Sequence, residues 1–466
     1  MHIHATSSPL SHPDAAPAIP PARLSLSDAL ASAAETRELR LSAGAIDEIA
    51  DVFRRQFPGK KAVVIADPVT FRVAGARVQQ QLEGTGLAET APFVFEDPDL
   101  HAESGFVDQL EQTLRRHRAV PVAVGSGTIN DLVKLAAHRT GRSYLCAATA
   151  ASMDGYTAFG ASITHRGAKQ TFDCPAPQAV VADLEIIRNA PPEMTASGYA
   201  DLQAKVTAGA DWLVAHALRI EPIDPRAWSI VQGGLRDALA VPDKARSGDI
   251  AAIGALTEGL MLGGFAMQWS KSSRPASGAE HQFSHLWDME HHTHQGAAPS
   301  HGFKVGIATL AIASLYEKLL EIPLDKIDVS RCVAEWPEWE ALAADIRERF
   351  ADDDFVATAL EETAAKFVSR EQLHEQLRRL TAVWPGLRDQ LRAQLAPVAE
   401  LRRRLEAVGA PSHPEEIGIS AARLRRTFHR AYFIRRRFTV LDLAVRTQTL
   451  EPCLAALFAP GGTQSR

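Results

Sequence analysis

His281 and His285 stand four residues apart in GAEHQFSHLWDMEHHTHQGAAPSHGFKVG, residues 278–306, a segment holding six of the chain's 17 histidines. If the segment is helical, that spacing puts both imidazoles on one face, where they can serve one centre. His301 follows in PSHGFKVG, where Pro299 and Gly302 signal a turn ahead of another helix. Asp201, in SGYADLQAKVTAGADW, is expected near the start of a helical run, with Lys205 one turn on. Two imidazoles, a carboxylate and an open position suit a catalytic divalent metal, and zinc, iron(II) and nickel all accept such ligands. Spacing alone leaves a plainer alternative open, in which the histidine pair is ordinary core or surface. His291, His292 and His294 read as a polar loop between two helices.

VAVGSGTINDLVKLAAH reads as strand, glycine turn and helix. Gly125 and Gly127, lacking Cβ atoms, permit a sharp turn and a close approach to a ligand. The free N–H groups and dipole of the following helix suit a pyrophosphate. The loop departs from the dinucleotide fingerprint, because Asn130 stands where a third glycine is expected and the first strand lies far upstream. No Gly-Lys-Ser/Thr follows, so it is not a P-loop, and an ordinary tight turn stays open.

These residues need a frame. KKAVVIADPVTFRVAG is a short apolar run ending in Asp67 and then a helical pattern; FVFED, AVPVAVGS and RSYLCAATAA (residues 142–151) repeat the theme. Strands alternating with helices predict an α/β domain with a parallel sheet. From Thr195 onward the pattern is Ala- and Leu-rich and helical, and the charge runs over 336–410 read as solvated helix faces. The expected organisation is a tail over 1–24, an α/β dinucleotide-binding domain over 25–190 and an all-α metal- and substrate-binding domain over 191–466. A crevice between the two domains is the default ligand site.

Composition narrows the class. A hydrophobic fraction of 46%, a charged fraction of 23% and a net charge of −6 fit a globular protein and give no case for nucleic acid or an anionic membrane. Four scattered cysteines fit a reducing, cytoplasmic setting and not a disulfide framework. The Pro-, Ala- and Ser-rich start is expected to be a flexible tail and not a secretory signal. AAIGALTEGLMLGGFAMQWS contains Glu258 and several glycines, and is expected to be a buried helix and not a membrane span.

Taken in order, GSGTINDLVK, TAASMDGYTAFGA, GAKQTF, VVADLEII, SGYADLQAKVTAGADW, SRPASGAEHQFSHLWDM, HGFKVG and IRRRFTVLDLA resemble the bacterial branch of the sn-glycerol-1-phosphate dehydrogenases. That family lies within the glycerol dehydrogenase and iron-containing alcohol dehydrogenase superfamily, and the likeness spans roughly residues 35–445. It implies a dehydroquinate synthase-like fold and one divalent metal (zinc, nickel or iron) held by Asp201, His281 and His301. It implies NAD or NADP along Gly125, Ser126, Gly127, Thr128, Asn130 and Asp131, with Asp67 near the adenosine and Thr149 and Ser152 near the nicotinamide. Asp154 and His285 would face a phosphorylated polyol, with Asp201 touching both substrate and metal. Lys169 matches a family motif without an assigned role. A homodimer or larger homo-oligomer is in keeping with the superfamily. In two places the chain departs: Ala158, beside Thr157, replaces a family serine, and Phe303 replaces a carboxylate after the His-Gly pair. Three other readings share features with this one: a dehydrogenase of unphosphorylated polyols such as glycerol, a dehydroquinate-synthase-like cyclase, and a metal-binding scaffold whose catalysis has lapsed.

Overall fold

The computed structural model describes residues 23–165, 168–462 and 464. Nearly all of the tail expected over 1–24 lies outside the described residues, as does the Lys169 side chain. Among the described residues eight strands form: β1 (Glu38–Ser42), β2 (Ala62–Ala66), β3 (Phe93–Val94), β4 (Val120–Gly125), β5 (Leu145–Ala148), β6 (Ala161–His165), β7 (Ala168–Phe172) and β8 (Ala179–Asp183). Six make a parallel sheet in the order β1–β8–β5–β4–β2–β3. Every residue of β2, β4, β5 and β8 is buried, as apolar runs must be when helices cover both faces. The chain steps one way from β2 to β3 and the other way from β2 to β4. That reversal opens a crevice at the carboxyl ends of β2 and β4, where Asp67 and Gly125 lie.

β6 and β7 form an antiparallel hairpin that the sequence pattern does not announce. Its first strand, ASITH, alternates between buried and half-buried, too short and polar a pattern to stand out from a loop. The expected strand over 142–151 shrinks to β5, and its continuation becomes the loop that carries Ser152 and Asp154.

Pro192, pre-set for the first helical turn, opens the helix Pro192–Gln203. Asp201 therefore sits near the end of that helix and not near the start of a run, which corrects the sequence expectation. Lys205 opens the next helix, Lys205–Ala217. Ile250–Ser270 is long and apolar enough to cross a membrane by length and composition, but 72% of its apolar window is buried inside the protein. The charge-rich Arg370–Gln394 helix buries Leu373, Leu377, Leu380, Trp384, Leu387 and Leu391 along one stripe and turns its charged residues outward.

One apolar core runs from the sheet (Val63, Ile65, Val180) straight into the helical part (Tyr199, Leu256, Leu401). Two glycines allow main chain to meet main chain at this junction. A Cβ on Gly198 would lie 1.9 Å from the Ala151 carbonyl oxygen, and one on Gly302 would lie 1.9 Å from that of Ser197. The loop after β5, the Asp201 helix and the His301 helix thus stack directly on one another.

Candidate active site

His281 and His285 share one face of the helix Ala279–Met289, their ring centroids 6.4 Å apart. Ser300 caps the helix His301–Leu319 by accepting from the Phe303 N–H, which sets His301 in its first turn. The His301 ring lies 5.4 Å from that of His281. Asp201, His281 and His301 each offer a ligand atom, and these atoms all lie within 4.8 Å of one another. The nitrogen–oxygen donor set fits a divalent ion of the zinc, iron or nickel type. His291, His292 and His294 stay out of this cluster: the His292 Nε2 lies 2.6 Å from the Ile417 carbonyl, and its Nδ1 lies 2.7 Å from an Arg423 nitrogen.

The His281 ring is held from behind. Its Nδ1 lies 2.8 Å from Glu280 Oε1, which leaves Nε2 for the centre, 3.7 Å from Asp201 Oδ1. Glu280 also accepts from the Gly278 N–H at 2.6 Å and from the Thr207 hydroxyl at 2.8 Å. A carboxylate behind a ligating histidine fixes the ring and raises its basicity. Burial alone would depress the His281 pKa, but the Asp201 and Glu280 carboxylates outweigh burial and raise it.

Beside this centre a buried ammonium joins two carboxylates. Lys205 Nζ lies 2.7 Å from both Asp154 Oδ2 and Asp201 Oδ1, and the Asp154 N–H donates to Asp201 Oδ2 at 3.1 Å. Burial opposes the charge on each acid, yet Lys205 and the two imidazoles hold Asp201 well below the usual carboxylate range. Burial and the neighbouring Asp201 charge push Asp154 upward. Asp201 is thus ready as an anionic ligand, while Asp154 is the carboxyl of the pair that takes a proton more readily.

On the nucleotide side, the helix Gly127–Arg139 follows β4 directly, and the hydroxyl of Ser126 does not cap it. A Cβ on Gly125 would stand 2.6 Å from Ile129, so only glycine permits this turn. The loop and helix start supply backbone N–H groups at the sheet crevice, which fits a dinucleotide pyrophosphate. Asn130, expected to touch cofactor, is instead fully buried, its amide oxygen accepting from Tyr144 at 3.0 Å. Lys134, one turn on, donates to the Gly155, Ala158 and Gly160 carbonyls at 2.9, 2.9 and 3.0 Å and so anchors the loop that carries Asp154. The Thr157 hydroxyl, fully buried, donates to the Met261 carbonyl, so it does not replace the hydroxyl lost at Ala158.

A cavity of about 940 Å³ connects these parts. Ser126, Gly127, Thr128, Asp131 and Ser152 line its sheet side. Asp154, His281, His285 and His301 line the metal side, with Asp201 fully buried behind them. Asp67, Gly125, Asn130 and Thr149 lie off its surface. Asp67 caps its own helix, accepting from Val69 and Thr70 at 2.8 and 2.9 Å. Sequence reasoning assigned no role to Lys205, Glu280, Lys134 or the arginines of IRRRF. Of these, Lys205 alone carried a visible sign, its four-residue spacing from Asp201.

Residues 40–191 match the family model described as iron-containing alcohol dehydrogenase. The chain is 36% identical over 286 residues to the glycerol-1-phosphate dehydrogenase (NAD(P)+) of Halalkalibacterium halodurans, covering 61% of this chain and 71% of that protein. It is 33% identical over 348 residues to the protein of the same name from Bacillus licheniformis, covering 69% and 84%. Among solved structures, a probable glycerol dehydrogenase from Sinorhizobium meliloti superposes with a TM-score of 0.58 at 18% identity, over 90% of this chain and 97% of that one.

Proposed function

The chain belongs to the glycerol-1-phosphate dehydrogenase family, and from that premise we propose that it interconverts sn-glycerol 1-phosphate and dihydroxyacetone phosphate with NAD(P). It is an NAD(P)-dependent dehydrogenase, and its donor set and family support a divalent metal held by Asp201, His281 and His301. The observation that carries the reading is that one cavity is lined by His281 and His301, with Asp201 directly behind them, and by Ser126 and Gly127 of the glycine loop. A metal held by Asp201, His281 and His301 would supply Lewis-acid polarisation at the C2 oxygen of the substrate, and NAD(P) would supply the hydride acceptor or donor for C2.

The chain's own residues do the rest. The backbone from Gly125 to Asp131 cradles the pyrophosphate, Asp67 marks the adenosine end, and Thr149 and Ser152 support the nicotinamide end. Asp154, oriented by Lys205, accepts a hydrogen bond from a terminal substrate hydroxyl. His285 takes the proton leaving the C2 hydroxyl through a water and returns it in the reverse direction, a role suited to an imidazole. Burial around Asp201 and His281 keeps bulk water from competing. In this reading residues 25–190 form the nucleotide half and 191–466 the metal and substrate half. The enzyme works in the cytoplasm, in keeping with four free, buried cysteines, without nucleic acid or membrane.

The test is a stereospecific assay of the enzyme reconstituted with zinc, nickel or iron(II), offering sn-glycerol 1-phosphate, its 3-phosphate enantiomer and glycerol. Oxidation of the first alone supports the reading; preference for glycerol overturns it. His285→Ala should keep its bound metal while kcat falls by about 10²–10⁴. An equal loss of metal, measured by elemental analysis, would make His285 a ligand instead.

A further inference from the structure

The cavity lining also includes Arg435, Arg436 and Arg437, the arginines of IRRRFTVLDLA, which have no task in the chemistry proposed so far. Arg436, exposed at the rim, is neutralised by Glu361 and Glu362 at 3.2 and 2.6 Å. Its two neighbours differ. Neither Arg435 nor Arg437 pairs with a carboxylate among the described residues, and Arg435 makes no hydrogen bond to them. Arg437 donates only to the Ser277 carbonyl and the Ser273 hydroxyl, each at 2.8 Å. Burial depresses both guanidinium pKa values, that of Arg437 to about 10, the nearby Arg274 adding to the effect there. Two half-buried cations that feel Glu362, Glu221 and Glu280 only at a distance, with no carboxylate in contact, are costly unless an anion joins them.

The segment is also rigidly registered to the metal ligands. Arg274 donates to the Phe438 carbonyl at 3.0 Å, and Asp211 accepts from the Val440 N–H at 2.8 Å and the Ala279 N–H at 2.7 Å. Arg437 grips Ser277, next to the Gly278 N–H that donates to Glu280, the carboxylate behind His281. A phosphate monoester on the carbon adjacent to the reacting one must lie close to the metal, and Arg437 lines the same cavity while fastened to the loop that leads into the His281 helix.

We infer that Arg435 and Arg437, with the Ser273 hydroxyl, bind the phosphate of the substrate and so select phosphorylated over free polyols. The assignment rests on the function proposed above. A phosphate monoester has a second source, the 2′-phosphate of NADP. The adenosine end, however, belongs at Asp67 and the sheet crevice, whereas Arg437 is fastened to the loop leading into the His281 helix.

The experiment uses the full-length, metal-loaded enzyme and its Arg435→Met, Arg437→Met and Arg437→Lys variants, checked for metal content and melting temperature. Removing either guanidinium takes a charge-assisted hydrogen bond from the phosphate and should raise KM for sn-glycerol 1-phosphate about 10- to 100-fold, with a much smaller fall in kcat. Arg437→Lys should recover part of that affinity, and Kd for NADH and NADPH, read by nucleotide fluorescence, should hold. Arg435 makes no hydrogen bond among the described residues, so its variant guards against a folding defect at Arg437. A KM within twofold of wild type in a folded Arg435→Met enzyme overturns the inference. Weakened NADPH binding with NADH binding and KM intact overturns it too, assigning the arginines to the coenzyme. If the wild type does not oxidise sn-glycerol 1-phosphate at all, the proposed function falls separately. Inorganic phosphate then decides: weaker inhibition or thermal protection in the variants upholds an anion site, and equal effects in wild type and variants dismiss it.

Discussion

His281→Ala is expected to lose metal and turnover together. Two ligands on two helices, Asp201 and His301, are then left to hold a divalent ion, and the Glu280 carboxylate loses the ring it positioned. After desalting, metal content should fall to a small fraction of wild type. Loss of the charge that stabilises the C2 oxygen should cost at least about 10³ in kcat/KM, the equivalent of several kcal/mol. Stranding Glu280 adds a penalty of its own, because its Oε1 loses a charge-assisted partner inside the core. His281→Gln, which keeps a hydrogen-bond donor at that position, separates the two effects: it should melt nearer to wild type yet still lack metal. Full occupancy and full turnover in the alanine variant would remove the triad from the mechanism.

Lys205→Met is expected to be the most damaging change that replaces no metal ligand. It leaves Asp154 and Asp201 facing each other without the ammonium that lies 2.7 Å from both. Breaking such a buried arrangement by removing one partner costs about 3–5 kcal/mol. A divalent ion on Asp201 supplies part of the missing charge, so metal should stabilise the variant more than it stabilises wild type. The comparison is melting temperature with chelator against melting temperature with zinc. An unchanged chelated variant, or equal metal shifts in both proteins, would sink the argument.

The deficit should also depend on pH, with a definite sign. Burial and Asp201 already raise the Asp154 pKa above its value in the unfolded chain. Without Lys205 that rise grows. An acid with a raised folded-state pKa contributes stability while it is protonated and loses it as pH climbs through that value. The variant should therefore trail wild type by more at about pH 8 than at about pH 5.5. Turnover should drop as well, because nothing then aims the Asp154 carboxyl.

What could be read from the chain alone follows from how far each signal reaches. β2 and β4 announce themselves as runs of β-branched and small apolar residues bounded by Asp67 and Gly125, since a strand buried on both faces leaves no room for polar residues. The pair at 281 and 285 was legible because four residues is one helical turn. Asn130 misled, because a side chain one turn into a phosphate-binding helix points either to the ligand or to the packing beneath, and here Tyr144 claims it. Glu280 and Arg437 were invisible for a different reason. Their meaning lies in partners such as Thr207 and Ser277, and no local periodicity encodes a contact between residues 73 or 160 positions apart. The hairpin of β6 and β7 escaped because a polar, half-buried ribbon has no hydrophobic period strong enough to register.

The glycines at 198 and 302 set the tolerance of the whole apparatus. With the Ala151 carbonyl against one and the Ser197 carbonyl against the other, the loop that carries Ser152 and Asp154 and the helices that carry Asp201 and His301 bear on one another chiefly through main-chain atoms. Their relative height is consequently a property of covalent geometry. A single added methyl at either glycine would lift one bearing surface off the other.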